Sequence, residues 1–173
     1  MGTKMDFGPL SQEKLIAFMY PVAASQLIQF VGGSLVYADS SGYMTLALTA
    51  TATLFGWAKA PKSQQYGSAA SSNGYWTSSS TGGLDKILVY PFAVNGDMLF
   101  KMPTILASTS TGLCVAARVG ETVDIVGVND GTRQYAVPGT NTTDVLQFVA
   151  LCEDGDTDAA YFAVNKAKVQ ADT

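Results

Sequence analysis

Histidine is absent from this chain. With it go the commonest general base, the side chain that titrates near neutral pH and the most frequent transition-metal ligand. A Ser-His-Asp triad cannot be assembled, however many serines are present. Charge is scarce too: Asp, Glu, Lys and Arg make up 14% of the residues, against about 25% in an ordinary soluble domain. The net charge is −4 and no block of Lys or Arg occurs, so the clustered cations that bind phosphates are missing and nucleic acid is not an expected partner. Long apolar runs are lacking as well. The best candidate, 15–31, is interrupted by Pro21, Ser25, Gln26 and Gln29, which excludes a spanning helix and gives no membrane partner. Lys4 followed by Leu15-Ile16-Ala17-Phe18 and Val22-Ala23-Ala24 imitates a signal peptide, but Asp6, Glu13 and Pro21 break the pattern, so the expectation is a protein made in the cytoplasm. Cysteine is limited to Cys114 and Cys152, in the apolar settings Leu113-Cys114-Val115 and Leu151-Cys152-Glu153. Two buried free thiols acting as small hydrophobes are expected; a disulfide stays open on sequence alone.

What is present is a succession of short strands. The 173 residues are 47% apolar, enough for one domain that buries about 70% of its unfolded surface without staples. Residues 32–59 organise the reading. Leu35-Val36-Tyr37 is a strand, Asp39-Ser40-Ser41-Gly42 a turn in which Gly42 takes a positive φ, and 43–48 the returning strand of a hairpin. Leu54, Phe55 and Trp57 form a third run, with Gly56 placed for a bulge or a close backbone approach. Phe55 and Trp57, two residues apart, are expected on one inward face. Further strands are expected at 86–92, 97–102, 113–117, 121–128, 133–137, 144–151 and 161–165, with turns at Asn95-Gly96 and Asn129-Asp130-Gly131. No helical period separates them, so the fold class is mainly β: a small antiparallel barrel or sandwich.

Two segments depart from that rhythm. Residues 1–30 show no strand alternation and read as an N-terminal arm ahead of a barrel domain at 31–173. Leu10, Lys14, Leu15, Phe18 and Met19 suit a short amphipathic helix capped by Ser11 and stopped by Pro21. The arm carries Met5, Phe7, Leu10, Leu15 and Phe18, apolar surface that must be covered either by a partner or by its own barrel. Residues 63–83 are rich in Ser and Gly, uncharged, and punctuated by Tyr66, Tyr75 and Trp76. They are either a contact loop gripping a neighbouring subunit through those aromatics or a surface loop folded back on the barrel.

The motifs that could carry chemistry fail on inspection. Asp154, Asp156 and Asp158 have the spacing of a calcium loop, but Ala159 stands where Gly is needed and Asn165 where Glu is needed. An acidic turn is the expectation. Asn141-Thr142-Thr143 fits a glycosylation acceptor but reads as turn chemistry before the strand at Asp144. The expectation is therefore no metal, no cofactor and no catalysis.

In order along the chain stand Tyr20-Pro21-Val22-Ala23-Ala24, Gly32-Gly33-Ser34-Leu35-Val36-Tyr37, Asp39-Ser40-Ser41-Gly42, Phe55-Gly56-Trp57-Ala58, Val94-Asn95-Gly96-Asp97, Phe100-Lys101-Met102-Pro103, Val119-Gly120-Glu121-Thr122-Val123-Asp124 and Asp144-Val145-Leu146-Gln147-Phe148-Val149. As an ordered set these phrases, covering 20–165, resemble the small β-barrel cement, or head decoration, proteins of tailed bacteriophages. The resemblance implies a β-tulip-like barrel and a virion structural role on the outer capsid surface. It implies the major capsid protein as partner and a homo-oligomer, with a trimer favoured. Partner-binding residues are then expected among Met5, Phe7, Leu10, Leu15, Phe18, Tyr66, Tyr75 and Trp76. The competing reading is a β-sandwich recognition module, carbohydrate-binding or host-adhesive, with Trp57, Tyr75 and Trp76 as a stacking platform.

Overall fold

The computed structural model describes residues 8–10, 14–29, 32–61, 74–104, 114–128, 133–137, 142–152 and 158–170. Its strands in chain order are β1 (Gly8–Pro9), β2 (Phe18–Pro21), β3 (Leu27–Gln29), β4 (Ser34–Ala38), β5 (Met44–Leu46), β6 (Gly56–Lys59) and β7 (Tyr75–Thr77). They continue as β8 (Lys86–Pro91), β9 (Phe100–Pro103), β10 (Thr122–Val128), β11 (Arg133–Val137), β12 (Leu146–Leu151) and β13 (Ala159–Val164). All strand pairs are antiparallel. They build a five-stranded sheet in the order β2-β8-β6-β4-β5, a six-stranded sheet β1-β9-β13-β12-β10-β11, and the two-stranded pair β3-β7. The mainly β expectation is met.

Both larger sheets curl, and each meets itself through the residue that follows a strand-ending proline. After Pro21, Val22 makes a parallel bridge to Met44 on β5, and the Ala23 N–H donates to the Met44 carbonyl at 3.0 Å. After Pro103, Thr104 bridges in the same sense to Ala136 on β11. Closing a sheet in this way removes open edges that would otherwise recruit other strands.

Strand alternation supplies two cores. In the six-stranded sheet the inward positions are Phe100 and Met102, Val123 and Ile125, Leu146 and Phe148, and Ala160, Phe162 and Val164, all buried. Phe148 and Phe162 meet edge to face with centroids 5.2 Å apart. The same cluster takes in the cross-strand row Leu35–Trp57–Tyr90 from one face of the five-stranded sheet, and Trp57 stacks 5.1 Å from Phe100. The opposite face of that sheet lines a smaller core of Val22, Val36, Met44, Phe55, Ala58, Ile87 and Val89, closed by Ile28 and Trp76 of β3-β7.

Phe55 and Trp57 are thus both buried but point into different cores, against the expectation of one shared face. Gly56 is the reason. Val36 on β4 is the cross-strand partner of Gly56, yet its carbonyl also accepts the Phe55 N–H at 2.8 Å. Two residues facing one is the count of a bulge, and it reverses the side on which Phe55 emerges. A Cβ on Gly56 would lie 2.6 Å from the Tyr90 carbonyl oxygen, so close approach and bulge occur together. The β4–β5 hairpin matches expectation: Asp39 Oδ1 accepts the N–H groups of Ser41 (2.8 Å) and Tyr43 (3.0 Å), and Gly42 has φ 77°.

Other expectations are corrected. The N-terminal segment is no separate arm in its described parts. β1 pairs with β9, β2 with β8 and β3 with β7, so it threads all three sheets. No helix forms at 14–19; Phe18 and Met19 begin β2, because pairing with Val89 and Leu88 satisfies their backbones directly. The strand expected at 113–117 is instead a 3-10 turn at Ala116–Arg118. Asn95-Gly96 does not turn a hairpin, since β8 and β9 lie in different sheets. The acidic run 153–157, the loop residues 62–73 and the turn 129–132 lie outside the described residues. Both cysteines are buried thiols outside any disulfide: the Cys152 thiol donates to the Ala159 carbonyl at 3.4 Å, and Cys114 Sγ lies 3.3 Å from Thr104 Oγ1.

Candidate interaction surface

Three side-chain amides fix the parts of this surface and of the fold behind it, and none was singled out from sequence for that role. Each holds the backbone N–H and C=O of one distant residue, as a paired strand would. Asn95 Oδ1 accepts the Ile16 N–H at 2.9 Å, and its Nδ2 donates to the Ile16 and Pro91 carbonyls, both at 2.8 Å. Gln134 on β11 does the same for Leu35 on β4, at 2.7 and 2.8 Å, and also donates to the Ala47 carbonyl at 2.6 Å. Gln170 does so for Ala38, at 2.9 Å in each direction. A fully satisfied buried amide both stabilises and fixes geometry. Gln134 joins the two sheets; Asn95 joins the N-terminal segment to the β8–β9 connection.

That second junction gathers apolar side chains at the surface. The Leu10 N–H donates to the Leu99 carbonyl at 3.0 Å, Ile16 is held by Asn95 beside Val94, and Phe18 and Met19 follow on β2. Leu10, Ile16, Phe18 and Met19 are each about half exposed, as is Val94, and Leu99 is 36% exposed. Phe18 lies in the cross-strand row with Val89 and Ala58, touching Tyr20 edge to face at 6.4 Å; Tyr20 in turn packs on Phe55 at 4.9 Å. The row therefore runs from the smaller core out to a half-exposed phenyl ring. Singly exposed hydrophobes need no explanation; Phe18 and Met19, successive on β2, project to opposite sides of the strand, so these residues make a candidate contact region around the junction and not one flat apolar face.

The expected contact residues divide. Leu10 and Phe18 belong to this surface. Leu15 is half-buried and packs on the larger core. Tyr75 is half-buried on β7, opposite Gln29. Trp76 is 1% exposed inside the smaller core, so it presents nothing to a partner; its burial against Ile28 is the reason. Trp57, 2% exposed, is equally unable to serve as a stacking platform. Met5, Phe7 and Tyr66 lie outside the described residues.

Reactive groups are not brought together here. Among the described residues no group of three or more His, Cys, Asp or Glu could hold a metal ion, and no helix is long and apolar enough to cross a membrane. Asp124 is a carboxylate that accepts four hydrogen bonds. Burial pushes its pKa up, but the N–H groups of Asp144, Thr143 and Thr142 and the Thr143 hydroxyl outweigh that and hold it below 3.8. Those bonds pin the turn before β12 to β10, a structural task. Compared with known proteins, the chain matches no family model, no curated protein and no solved structure.

Proposed function

We propose that this protein is a capsid cement protein, which sits on the outer face of a tailed-phage head and ties neighbouring major capsid subunits together, acting as a trimer. The observation that supports it best is the set of half-exposed apolar side chains Leu10, Ile16, Phe18 and Met19, positioned by the Leu99 carbonyl, by Asn95 and by the pairing of β2 with β8 respectively, on a chain whose charge fraction is only 14%. The ordered phrases between Tyr20 and Val149 point the same way. Such a protein works by binding free energy alone. A ligand that binds only the intact lattice stabilises it by about 4 kcal/mol at a thousandfold excess over Kd.

The test is cosedimentation of the purified chain with phage heads that lack decoration, over a range of concentrations, followed by heating of the loaded heads. Saturable binding at a fixed copy number per head, with rupture moved to higher temperature, is expected. Absence of saturable binding, or loaded heads that rupture no later than bare ones, would overturn the proposal.

A further inference from the structure

Asn95-Gly96 carries a glycine that its turn does not explain. The Met98 N–H donates to the Asn95 carbonyl at 3.0 Å, so Gly96 and Asp97 form the middle of a turn. Gly96 does not hold a positive φ. A Cβ built on it would meet, among the described residues, only the Phe92 carbonyl oxygen, at an ordinary 3.6 Å. Neither conformation nor space therefore requires glycine at this position. What glycine does supply is chemical: it leaves its own backbone nitrogen unhindered beside the Asn95 carboxamide. An Asn-Gly pair is the sequence in which that nitrogen most readily attacks the side-chain carbonyl carbon, the reaction that makes asparagine a labile residue.

The folded chain holds this amide back. Attack requires the carboxamide to turn toward the Gly96 nitrogen, and three hydrogen bonds resist that turn: the Ile16 N–H on Oδ1, and Nδ2 on the Ile16 and Pro91 carbonyls. Asn95 is also buried, so freeing its side chain means uncovering it. Two of the three bonds belong to Ile16, which lies between β1 and β2 and in neither strand. Its departure is a local opening that leaves the paired strands intact.

We propose that Asn95 is a deamidation site gated by the N-terminal segment. Once Ile16 leaves, the Gly96 nitrogen gives up its proton to solvent and bonds to Asn95 Cγ. The Cγ–Nδ2 bond breaks, ammonia departs, and a five-membered succinimide is left. Water then adds to one of the two ring carbonyls, and the ring opens to aspartate or isoaspartate. The net change is amide plus water to carboxylate plus ammonium, with no oxidation or reduction. The product cannot restore the clamp. A carboxylate has no N–H for the Ile16 and Pro91 carbonyls and sets negative charge against both. Isoaspartate also adds a methylene to the backbone. A transient opening at Ile16 is thereby made permanent. The inference stands apart from the capsid reading, because every step takes place on the free chain.

The test is peptide mapping by mass spectrometry on the full chain, incubated at mildly alkaline pH both in native buffer and in urea. A second Asn-Gly pair, Asn73-Gly74, is read in the same digest as the reference for the unfolded chain. In urea Asn95 should convert as fast as Asn73. In native buffer it should convert at least about tenfold more slowly than in urea, because its hydrogen bonds must open together. Ile16→Pro removes the donor to Oδ1 and should restore much of the lost rate in the folded protein. Gly96→Ala fits the native backbone, so its amide spectrum should stay native while its conversion in urea slows severalfold. Converted chain, separated by its added negative charge, should exchange the Ile16 amide faster than the parent, with the Leu35 amide unchanged. Equal rates in native buffer and urea, or a folded Ile16→Pro no faster than the parent, would overturn the gate. Conversion undiminished in Gly96→Ala, or Ile16 exchange unaltered in the converted chain, would overturn the site and its consequence.

Discussion

Replacing Gln134 by Leu keeps the size of the side chain while removing its amide, and so isolates what joins the two sheets. Gln134 is 7% exposed and makes three hydrogen bonds: from the Leu35 N–H and to the Leu35 and Ala47 carbonyls. The losses are unequal. The Leu35 carbonyl keeps the Ala47 N–H at 3.0 Å, but the Leu35 N–H is left buried and unpaired. Net hydrogen bonds contribute roughly 0.5–1.5 kcal/mol each, and a stranded buried donor costs about 1–3 kcal/mol. Leucine regains part of this through apolar burial. A net destabilisation of about 2–4 kcal/mol follows, or a Tm lowered by roughly 5–15 °C for a domain this size. Urea unfolding is the assay: the midpoint should fall while the slope m stays constant. Hydrogen exchange at Leu35 should accelerate more than at Leu146, which lies in the same core but far from the amide. A loss below about 1 kcal/mol, or exchange at Leu35 no faster than in the parent, would show that the sheets are held by apolar packing alone and that the amide is incidental.

The remaining predictions concern the cores and one carboxylate. Trp57→Ala should cost about 3–5 kcal/mol, read from thermal unfolding, because it empties the row between Leu35 and Tyr90; a surface-like change of under ~0.5 kcal/mol would contradict its burial. Gly56→Ala should cost about 1–3 kcal/mol by driving a methyl into the Tyr90 carbonyl and Val89, and a neutral result would mean that β6 and β8 can spread. Asp124 has a folded-state pKa below 3.8, so its contribution is fully present above the unfolded value of about 4 and is lost as pH falls through the lower folded value. Asp124→Asn should therefore lower the unfolding midpoint at pH 7 and flatten its fall below pH 4; an unchanged acid limb would assign acid sensitivity elsewhere.

What could be read from sequence followed local pattern. The β4–β5 hairpin was legible because Asp39 and Gly42 state a turn and the flanking residues alternate. β10, β12 and β13 were legible because Val123/Ile125, Leu146/Phe148 and Phe162/Val164 repeat at period two. β1, β2 and β3 were not, because strands of two to four residues are too short to show a period and their partners β9, β8 and β7 come some fifty to ninety residues later. The side on which Phe55 emerges turns on a bulge, which Gly56 permits but does not by itself dictate. Asn95 looked like turn chemistry and proved to be a clamp on Ile16. Gln134 and Gln170 gave no signal, since a lone glutamine carries no spacing and its role exists only once two sheets meet. The same holds for the candidate surface: Leu10 and Phe18 were anticipated as apolar residues needing cover, whereas Val94 and Leu99 join them only through the contact of the N-terminal segment with the β8–β9 connection.

The most direct measurement is the affinity of Phe18→Asp for undecorated heads, set beside Val119→Asp as a control. Val119 is as exposed as Phe18, at 48% each, but it follows the 3-10 turn beside β12, far along the chain from the N-terminal junction. A charge placed in the centre of a desolvated apolar contact costs several kcal/mol, at least about a hundredfold in Kd. The account predicts that loss for Phe18→Asp in a natively folded protein, with Val119→Asp binding like the parent. Equal affinity for Phe18→Asp and parent, or a loss confined to Val119→Asp, would contradict it.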